Sequence, residues 1–185
     1  GGESNDFFLK LGIDANDNLY SFGNTKSQLN IGSAGVFQEN YIASNTWKNS
    51  GCIFKFNSNG IKIWGSYFFP ETLGGSVSKS GDIYFTGRAE TGFLSTPNTY
   101  QEIKKPGTES YLVKFNTNGQ REWATYYGGD GADNANITAV DDDSYVYLSG
   151  MTSSETNIAT SSTYQPNIAP SPNNYTPNVS DAFLV

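Results

Sequence analysis

The sequence predicts an all-β fold built from a repeated unit of about 60 residues. Three observations carry this prediction: the composition, a ten-residue pattern that occurs twice, and a shorter pattern that occurs three times. Tyr and Phe number 12 each and Gly 20, a mixture typical of short strands joined by tight turns. The strand-forming runs are short, and we find no convincing 3.6-residue periodicity that would favour helices.

The ten-residue pattern is K-F-N-x-N-G-x-x-x-W, which starts at Lys55 and again 59 residues later at Lys114. In each copy Asn-Gly lies between two runs of β-forming residues, and this pair is a strong hairpin signal because both residues tolerate positive φ. The second copy predicts a hairpin between residues 111–115 and 120–127. We expect each Trp to be a packing anchor. The repeated positions are Gly60, Trp64, Gly119 and Trp123.

The shorter pattern is an aliphatic residue, Tyr, two variable residues and Gly. Its three copies end at Gly23, Gly87 and Gly150, 64 and 63 residues apart. The third copy predicts a hairpin between residues 137–140 and 145–149 around a polar turn. Two further marks keep the same order, an aromatic–Gln pair after each glycine and a Gly pair before each unit: Phe37-Gln38, Tyr100-Gln101 and Tyr164-Gln165, with Gly1-Gly2, Gly74-Gly75 and Gly128-Gly129.

Each unit is therefore expected to hold four short antiparallel strands and one long polar loop. Such a sheet cannot bury both faces alone and must stack on neighbours, so the unit fits a β-propeller blade better than a solenoid coil. A propeller needs roughly four to eight blades, so we expect two complete blades and a partial third to belong to a longer chain; assembly of copies is the alternative. The predicted units of this one domain are 1–73 (loop 24–50), 74–127 (loop 88–108) and 128–185 (loop 151–180).

A longer string of residues resembles a known family. Residues 109–116 read E-S-Y-L-V-K-F-N, residues 125–129 read T-Y-Y-G-G, residues 150–154 read G-M-T-S-S, and residues 181–185 read D-A-F-L-V. This succession resembles the bacterial β-propeller repeat (SBBP) family, from which the first unit departs by Phe54 at a usually aliphatic position. The resemblance implies an often seven-bladed propeller in large secreted or surface-attached proteins of Bacteroidetes-like bacteria, exported by type IX secretion.

Charge and composition exclude several classes of protein. The formal net charge of −7 argues against nucleic-acid binding, which needs a basic surface, and against an anionic membrane surface. The absence of His removes Ser–His–Asp and Cys–His catalysis and every His-ligated metal. The single cysteine, Cys52, excludes an internal disulfide and is expected to be a buried thiol. We predict no cofactor, no nucleic-acid partner and no membrane insertion.

Clustered carboxylates leave a calcium site open as an alternative. Asp141, Asp142 and Asp143 follow one another in a predicted turn, and carboxylate oxygens are the ligands that calcium prefers. The spacing lacks the D-x-D-x-D-G order, however, and Lys79 stands at the corresponding turn of the middle unit. We therefore favour solvated turn residues over a metal site.

Two further hypotheses concern carbohydrates. A polysaccharide-active enzyme would need two acidic residues converging on a propeller axis, but the available residues occupy non-equivalent places and lack an Arg cluster. An exposed Trp could instead stack on a sugar, and Trp47 is the best candidate because it lies in a variable loop, although anchoring of that loop is the more common role. The acidic candidates for the enzyme are Glu71, Glu90 and Glu122.

The sequence as a whole favours a non-catalytic binding or display scaffold of a secreted or cell-surface protein, acting in adhesion or attachment. Rigid rings with variable loops commonly present contacts to partners. The expected partners are neighbouring blades of the same longer chain, a glycan or surface protein, and the type IX machinery. Two alternatives stay open: a polysaccharide-active propeller, and a structural spacer or secretion cargo whose active domain lies elsewhere.

Overall fold

A computed structural model describes residues 1–42, 49–89, 94–168 and 180–185, and these residues contain no helix. The all-β prediction is thus confirmed for the described chain. The strands are β1 (Asp6–Ile13), β2 (Leu19–Thr25), β3 (Ser50–Phe56), β4 (Lys62–Phe68), β5 (Thr72–Val77), β6 (Ile83–Ala89), β7 (Glu109–Phe115), β8 (Arg121–Tyr127), β9 (Asp133–Val140), β10 (Val146–Thr152) and β11 (Asp181–Leu184).

The strands form three antiparallel sheets. Within each sheet, strands that follow one another in the chain pair with one another. The first sheet holds β1 to β4, the second β5 to β8, and the third β9 to β11. The hairpins predicted from the two sequence patterns are present as β3–β4, β7–β8 and β9–β10. Repetition in the sequence therefore corresponds to repetition of a whole sheet.

The two Asn-Gly hairpins turn by one shared mechanism, and only the glycine takes positive φ, 75° at Gly60 and 76° at Gly119. The first Asn of each pattern closes the turn with its side chain. Asn57 Oδ1 accepts hydrogen bonds from the amides of residues 59 and 61 at 3.0 and 2.9 Å. Asn116 makes the equivalent pair of contacts. The repeated K-F-N-x-N-G string therefore contains both the side chain that closes the turn and the glycine that takes positive φ.

The predicted division between residues 73 and 74 falls inside β5. Gly74 and Gly75 allow the neighbouring sheets to come close to β5. A Cβ at Gly74 would lie 2.4 Å from the carbonyl oxygen of Asn136 in β9, and one at Gly75 would lie 2.6 Å from the ring of Phe22 in β2. The middle sheet is thus packed closely on both sides at these glycines.

Neighbouring sheets pack face to face. Strand β5 contacts β1 and β2 of the first sheet, and β9 contacts β5, β6 and β7 of the second. Trp64 in β4 contributes a direct link, since its Nε1 donates to the carbonyl oxygen of Thr117 at 3.1 Å. The main core between the first two sheets is aromatic and aliphatic; its largest members are Trp64, Tyr20, Tyr111, Tyr126, Phe22, Phe68, Phe85 and Phe115.

The repeated glycines of β2, β6 and β10 have a common steric cause. A Cβ at Gly23, Gly87 or Gly150 would lie 1.8, 2.2 or 2.1 Å from a backbone carbonyl oxygen. The carbonyls are those of Phe7 in β1, Glu71 just before β5 and Asn134 in β9. Each lies close to a register shift between the first and second strands of its sheet. Only glycine leaves room for that approach, which explains the Tyr-x-x-Gly pattern.

Candidate binding site

The long loops after β2 and β6 run along the free edges of β4 and β8. Ser33 donates its amide to the carbonyl of Gly65 at 2.8 Å, and the amide of Tyr67 donates to the carbonyl of Gln38 at 3.0 Å. The second loop repeats both bonds, from Thr96 to Ala124 and from Tyr126 to Gln101, at 2.9 and 3.0 Å. The loops thereby satisfy strand edges that would otherwise be open to pairing with other chains. The repeated aromatic–Gln pair belongs to this contact.

A cleft lies where the loop after β6 meets the loop after β10. Tyr100, Gln101 and Lys105 line one side, residues 157–160 line the other, and Gly128 lies between them; the open cleft has a volume of about 400 Å³. This volume is within the range of pockets that hold small ligands or parts of larger ones. Because two variable loops form it on a rigid base, the cleft is the strongest candidate for a functional site.

An aromatic stack supports one wall of the cleft. The ring of Tyr100, which is 75% exposed, lies 5.9 Å from that of Tyr127 at an interplanar angle of 25°. Tyr127 in turn stacks on Phe183 at 5.4 Å and donates its hydroxyl to the carbonyl of Ile158 at 2.7 Å. Burial raises the pKa of Tyr127 to about 12, so that hydroxyl stays a donor at neutral pH. Tyr100 therefore presents a flat ring on a fixed support.

A buried carboxylate orders the polar wall. Glu109 is fully buried; one of its oxygens accepts from Gln101 Nε2 at 2.6 Å and the other from the backbone amide of Lys105 at 2.8 Å. Lys105 Nζ donates to the carbonyl of Gly128 at 2.8 Å. A Cβ at Gly128 would lie 2.7 Å from Asp133 Oδ2 and 3.0 Å from Glu109 Cγ. Glu109 thus positions the residues that line the cleft.

A second buried carboxylate pins the beginning of the third sheet, and sequence reasoning missed it. Asp133 accepts from the hydroxyls of Thr152 and Ser154 at 2.5 and 2.9 Å and from the amide of Gly129 at 2.8 Å. The sequence signal for this cluster is a T-x-S string that begins two residues after the repeated glycine, at Thr152 after Gly150 and at Thr25 after Gly23. The first sheet contains the same arrangement with Asp6, Thr25, Ser27 and the amide of Gly2.

The acidic turn considered for calcium is closed by hydrogen bonds. Asp141 Oδ1 accepts from the amides of Asp143 and Tyr145 at 3.0 and 2.9 Å, and its Oδ2 accepts from the hydroxyl of Tyr147 at 2.9 Å. Asp142 forms an ion pair with Lys79 at 2.6 Å. Among the residues that the structure describes, no group of three or more His, Cys, Asp or Glu side chains could hold a metal ion. The arrangement closes a turn.

The other predicted candidates lie apart from the cleft or outside the described residues. Trp47 and Glu90 fall outside them. Glu71 lies 3.8 Å from Arg88, while Glu122 forms an ion pair with Lys114 at 2.9 Å. These two carboxylates therefore belong to different charge pairs. The repeated Trp123 is half-buried, and Cys52 is fully buried, which raises the pKa of its thiol to about 12.

No family model matches the chain, and no curated protein matches it. Within residues 1–42, 49–89, 94–168 and 180–185, no helix has the length and apolar character needed to cross a membrane. The likeness to SBBP repeats stays a prediction from the sequence.

Proposed function

We propose that the chain is part of a β-propeller. The support is the succession of three sheets with one strand order, stacked so that β5 contacts β1 on one side and β9 on the other. β1, β5 and β9 are the first strands of the three sheets. In a propeller, the blades are arranged around an axis so that their first strands lie next to one another. Electron micrographs of a longer polypeptide that contains this chain should show a closed ring of roughly four to eight blades. An open stack of sheets would contradict the proposal.

We further propose that this propeller is a non-catalytic binding scaffold that acts in adhesion or attachment. The observation that carries the proposal is the cleft beneath Tyr100, where an exposed ring lies beside the Gln101 amide and the Lys105 stem. Tyrosine combines an apolar face with a polar tip, and sites of this kind use a few placed polar groups to orient a ligand. A glycan or the polar surface of a protein fits this chemistry.

The location of the protein is also a proposal. The resemblance to SBBP repeats favours a secreted or cell-surface protein, with type IX secretion as the route. Detection of the protein in culture medium or on intact cells by surface proteolysis tests the location.

Replacing Tyr100 tests the binding proposal. A glycan array should first identify a retained polysaccharide, and Tyr100→Ala should then weaken its binding about tenfold, which corresponds to about 1.4 kcal/mol and to the loss of one aromatic contact. Isothermal titration calorimetry measures the change. Tyr145→Ala is the matched control, because Tyr145 is also exposed but lies in the β9–β10 turn. Equal binding by wild type and Tyr100→Ala would contradict this role of the cleft.

A further inference from the structure

The loop after β6 is tied to β7 by the carboxylate of Glu109, the first residue of that strand. The Glu109 side chain is fully buried. Its Oε1 accepts from Gln101 Nε2 at 2.6 Å, and its Oε2 accepts from the backbone amide of Lys105 at 2.8 Å. Both carboxylate oxygens therefore act as acceptors, and both donors are uncharged N–H groups.

Protonation of Glu109 is incompatible with this pair of hydrogen bonds. A carboxylate accepts through both oxygens, whereas a carboxylic acid carries a hydroxyl that donates. That hydroxyl would face an N–H group of Gln101 or Lys105, so one of the two bonds is lost. The Gln101 amide cannot turn to offer its oxygen instead, because its Nε2 also donates to the carbonyl of Ile103 at 3.3 Å. The turn would set two acceptor oxygens against each other.

Two lysines and a second carboxylate lie close to Glu109. The ammonium groups of Lys104 and Lys105 donate to backbone carbonyls, that of Lys105 to Gly128 at 2.8 Å. Asp133 is also fully buried. A Cβ at Gly128 would lie 2.7 Å from Asp133 Oδ2 and 3.2 Å from Glu109 Oε1. Two negative charges therefore come close together at this glycine and repel each other.

The other titratable groups on the adjacent segments have contacts of their own. They are Arg88 of β6, which lies 3.8 Å from Glu71; Tyr127 of β8, which donates to the carbonyl of Ile158; Asp130, which accepts from the amide of Thr156; and Glu102 of the loop, which accepts from the amide of Asn98. In the part of the chain that the structure describes, the hydrogen bonds of Glu109 thus come from the loop alone.

The first sheet provides an internal comparison. Ser50 begins β3 as Glu109 begins β7, and Gln38 stands in the first loop where Gln101 stands in the second. Gln38 Nε2 donates to the carbonyl of Asn40 at 3.1 Å, and its Oε1 accepts from the amide of Phe69 at 3.3 Å. No titratable group takes part in these two bonds, so the two loops hold the same glutamine by different chemistry.

We propose that Glu109 is an acid-sensitive latch for one wall of the cleft. While Glu109 is ionised, the segment from Gln101 to Lys105 lies against β7 and Lys105 Nζ reaches the carbonyl of Gly128. Protonation releases this segment and displaces the two residues from the cleft wall. The cleft is formed at neutral pH and loosened in acid. This inference concerns the loop itself and does not depend on what the cleft binds.

Amide hydrogen exchange of the wild-type chain, followed by NMR, tests the latch. Each measured rate is divided by the intrinsic rate at the same pH to give a protection factor. Protection of the Lys105 amide should fall at least tenfold between neutral pH and about pH 4, where carboxyl groups ordinarily titrate. Protection of the Gln38 amide, which donates to Ser66 Oγ at 3.2 Å, should change less than twofold.

Two variants assign the effect to one carboxylate. Glu109→Gln keeps the shape of the side chain but replaces one acceptor oxygen by a donor, so the Lys105 amide should lack protection already at neutral pH and acid should have no further effect. Glu102→Gln, at an exposed position of the same loop, should respond to acid as wild type does.

The wild-type titration decides the proposal even where Glu109→Gln does not fold. Protection of the Lys105 amide that stays constant into acid would overturn it. An equal fall at Gln38 would overturn it as well, because the whole chain would then be loosening. Loss of the acid response in Glu102→Gln would assign the effect to the wrong carboxylate and contradict the role of Glu109.

Discussion

Trp64→Ala is expected to lower the free energy of unfolding by about 3–5 kcal/mol, the usual range for removing a buried large aromatic side chain. Trp64 is only 7% exposed. Its ring packs edge-on against Tyr20 at 6.4 Å, and Gly119 of the next sheet leaves room for it. The substitution removes the packing of the Trp64 ring against Gly119 of the next sheet together with the hydrogen bond to Thr117.

Trp123→Ala is the matched control, because Trp123 holds the same place in the repeat but is half-buried. It packs against Tyr84 of its own sheet at 6.3 Å, and we expect a cost of about 1 kcal/mol, since less apolar area is lost. Urea unfolding followed by far-UV circular dichroism measures both variants without relying on Trp fluorescence. Equal losses in the two variants would mean that the packing of Trp64 on the next sheet contributes little.

Gly87→Ala is expected to destabilise the fold by about 3 kcal/mol, at the upper end of the usual cost of overpacking. The new Cβ would lie 2.2 Å from the carbonyl oxygen of Glu71 and 2.7 Å from the hydroxyl of Tyr111. These two atoms are hydrogen-bonded to each other at 2.8 Å. A backbone atom held in this way cannot yield as a flexible side chain would, so the strand pair must shift.

Gly35→Ala separates this clash from the general cost of replacing glycine. Gly35 has φ of 79°, and no atom lies within 4 Å of the place that a Cβ would occupy there. The variant therefore bears only the cost of the left-handed conformation, about 1–2 kcal/mol. The midpoints of urea unfolding should rank wild type first, Gly35→Ala second and Gly87→Ala last. The reverse order of the two variants would contradict the steric explanation of the repeated glycine.

The sequence predicted the hairpins because their causes are local. The string from Asn116 to Gly119 contains both the side chain that closes the turn and the residue that takes positive φ. The packing role of the Gly74-Gly75 pair was not predictable, because a glycine serves a turn or a close approach equally well and the sequence does not say which. Only the neighbouring sheet shows that these two lie under Phe22 and Asn136.

The candidate site was harder to predict because its parts come from distant segments. The cleft joins Tyr100 and Lys105 to residues 157–160, and their proximity depends on how the second and third sheets stack. Glu109 was visible in the sequence as part of a strand motif, but its role depends on Gln101 and on the absence of a side chain at Gly128. The Asp133 cluster shows that a repeated T-x-S string was an available signal.

The edge contacts of the loops fix one short segment of each loop. The two anchors are always five residues apart, Ser33 with Gln38 and Thr96 with Gln101, and Thr160 with Gln165 keeps the same interval. The lengths on either side of the anchors are not fixed by these bonds, and longer surface loops cost little entropy. New sequence can therefore accumulate beyond each Gln while the sheet edge stays closed, which lets one framework carry many different surfaces.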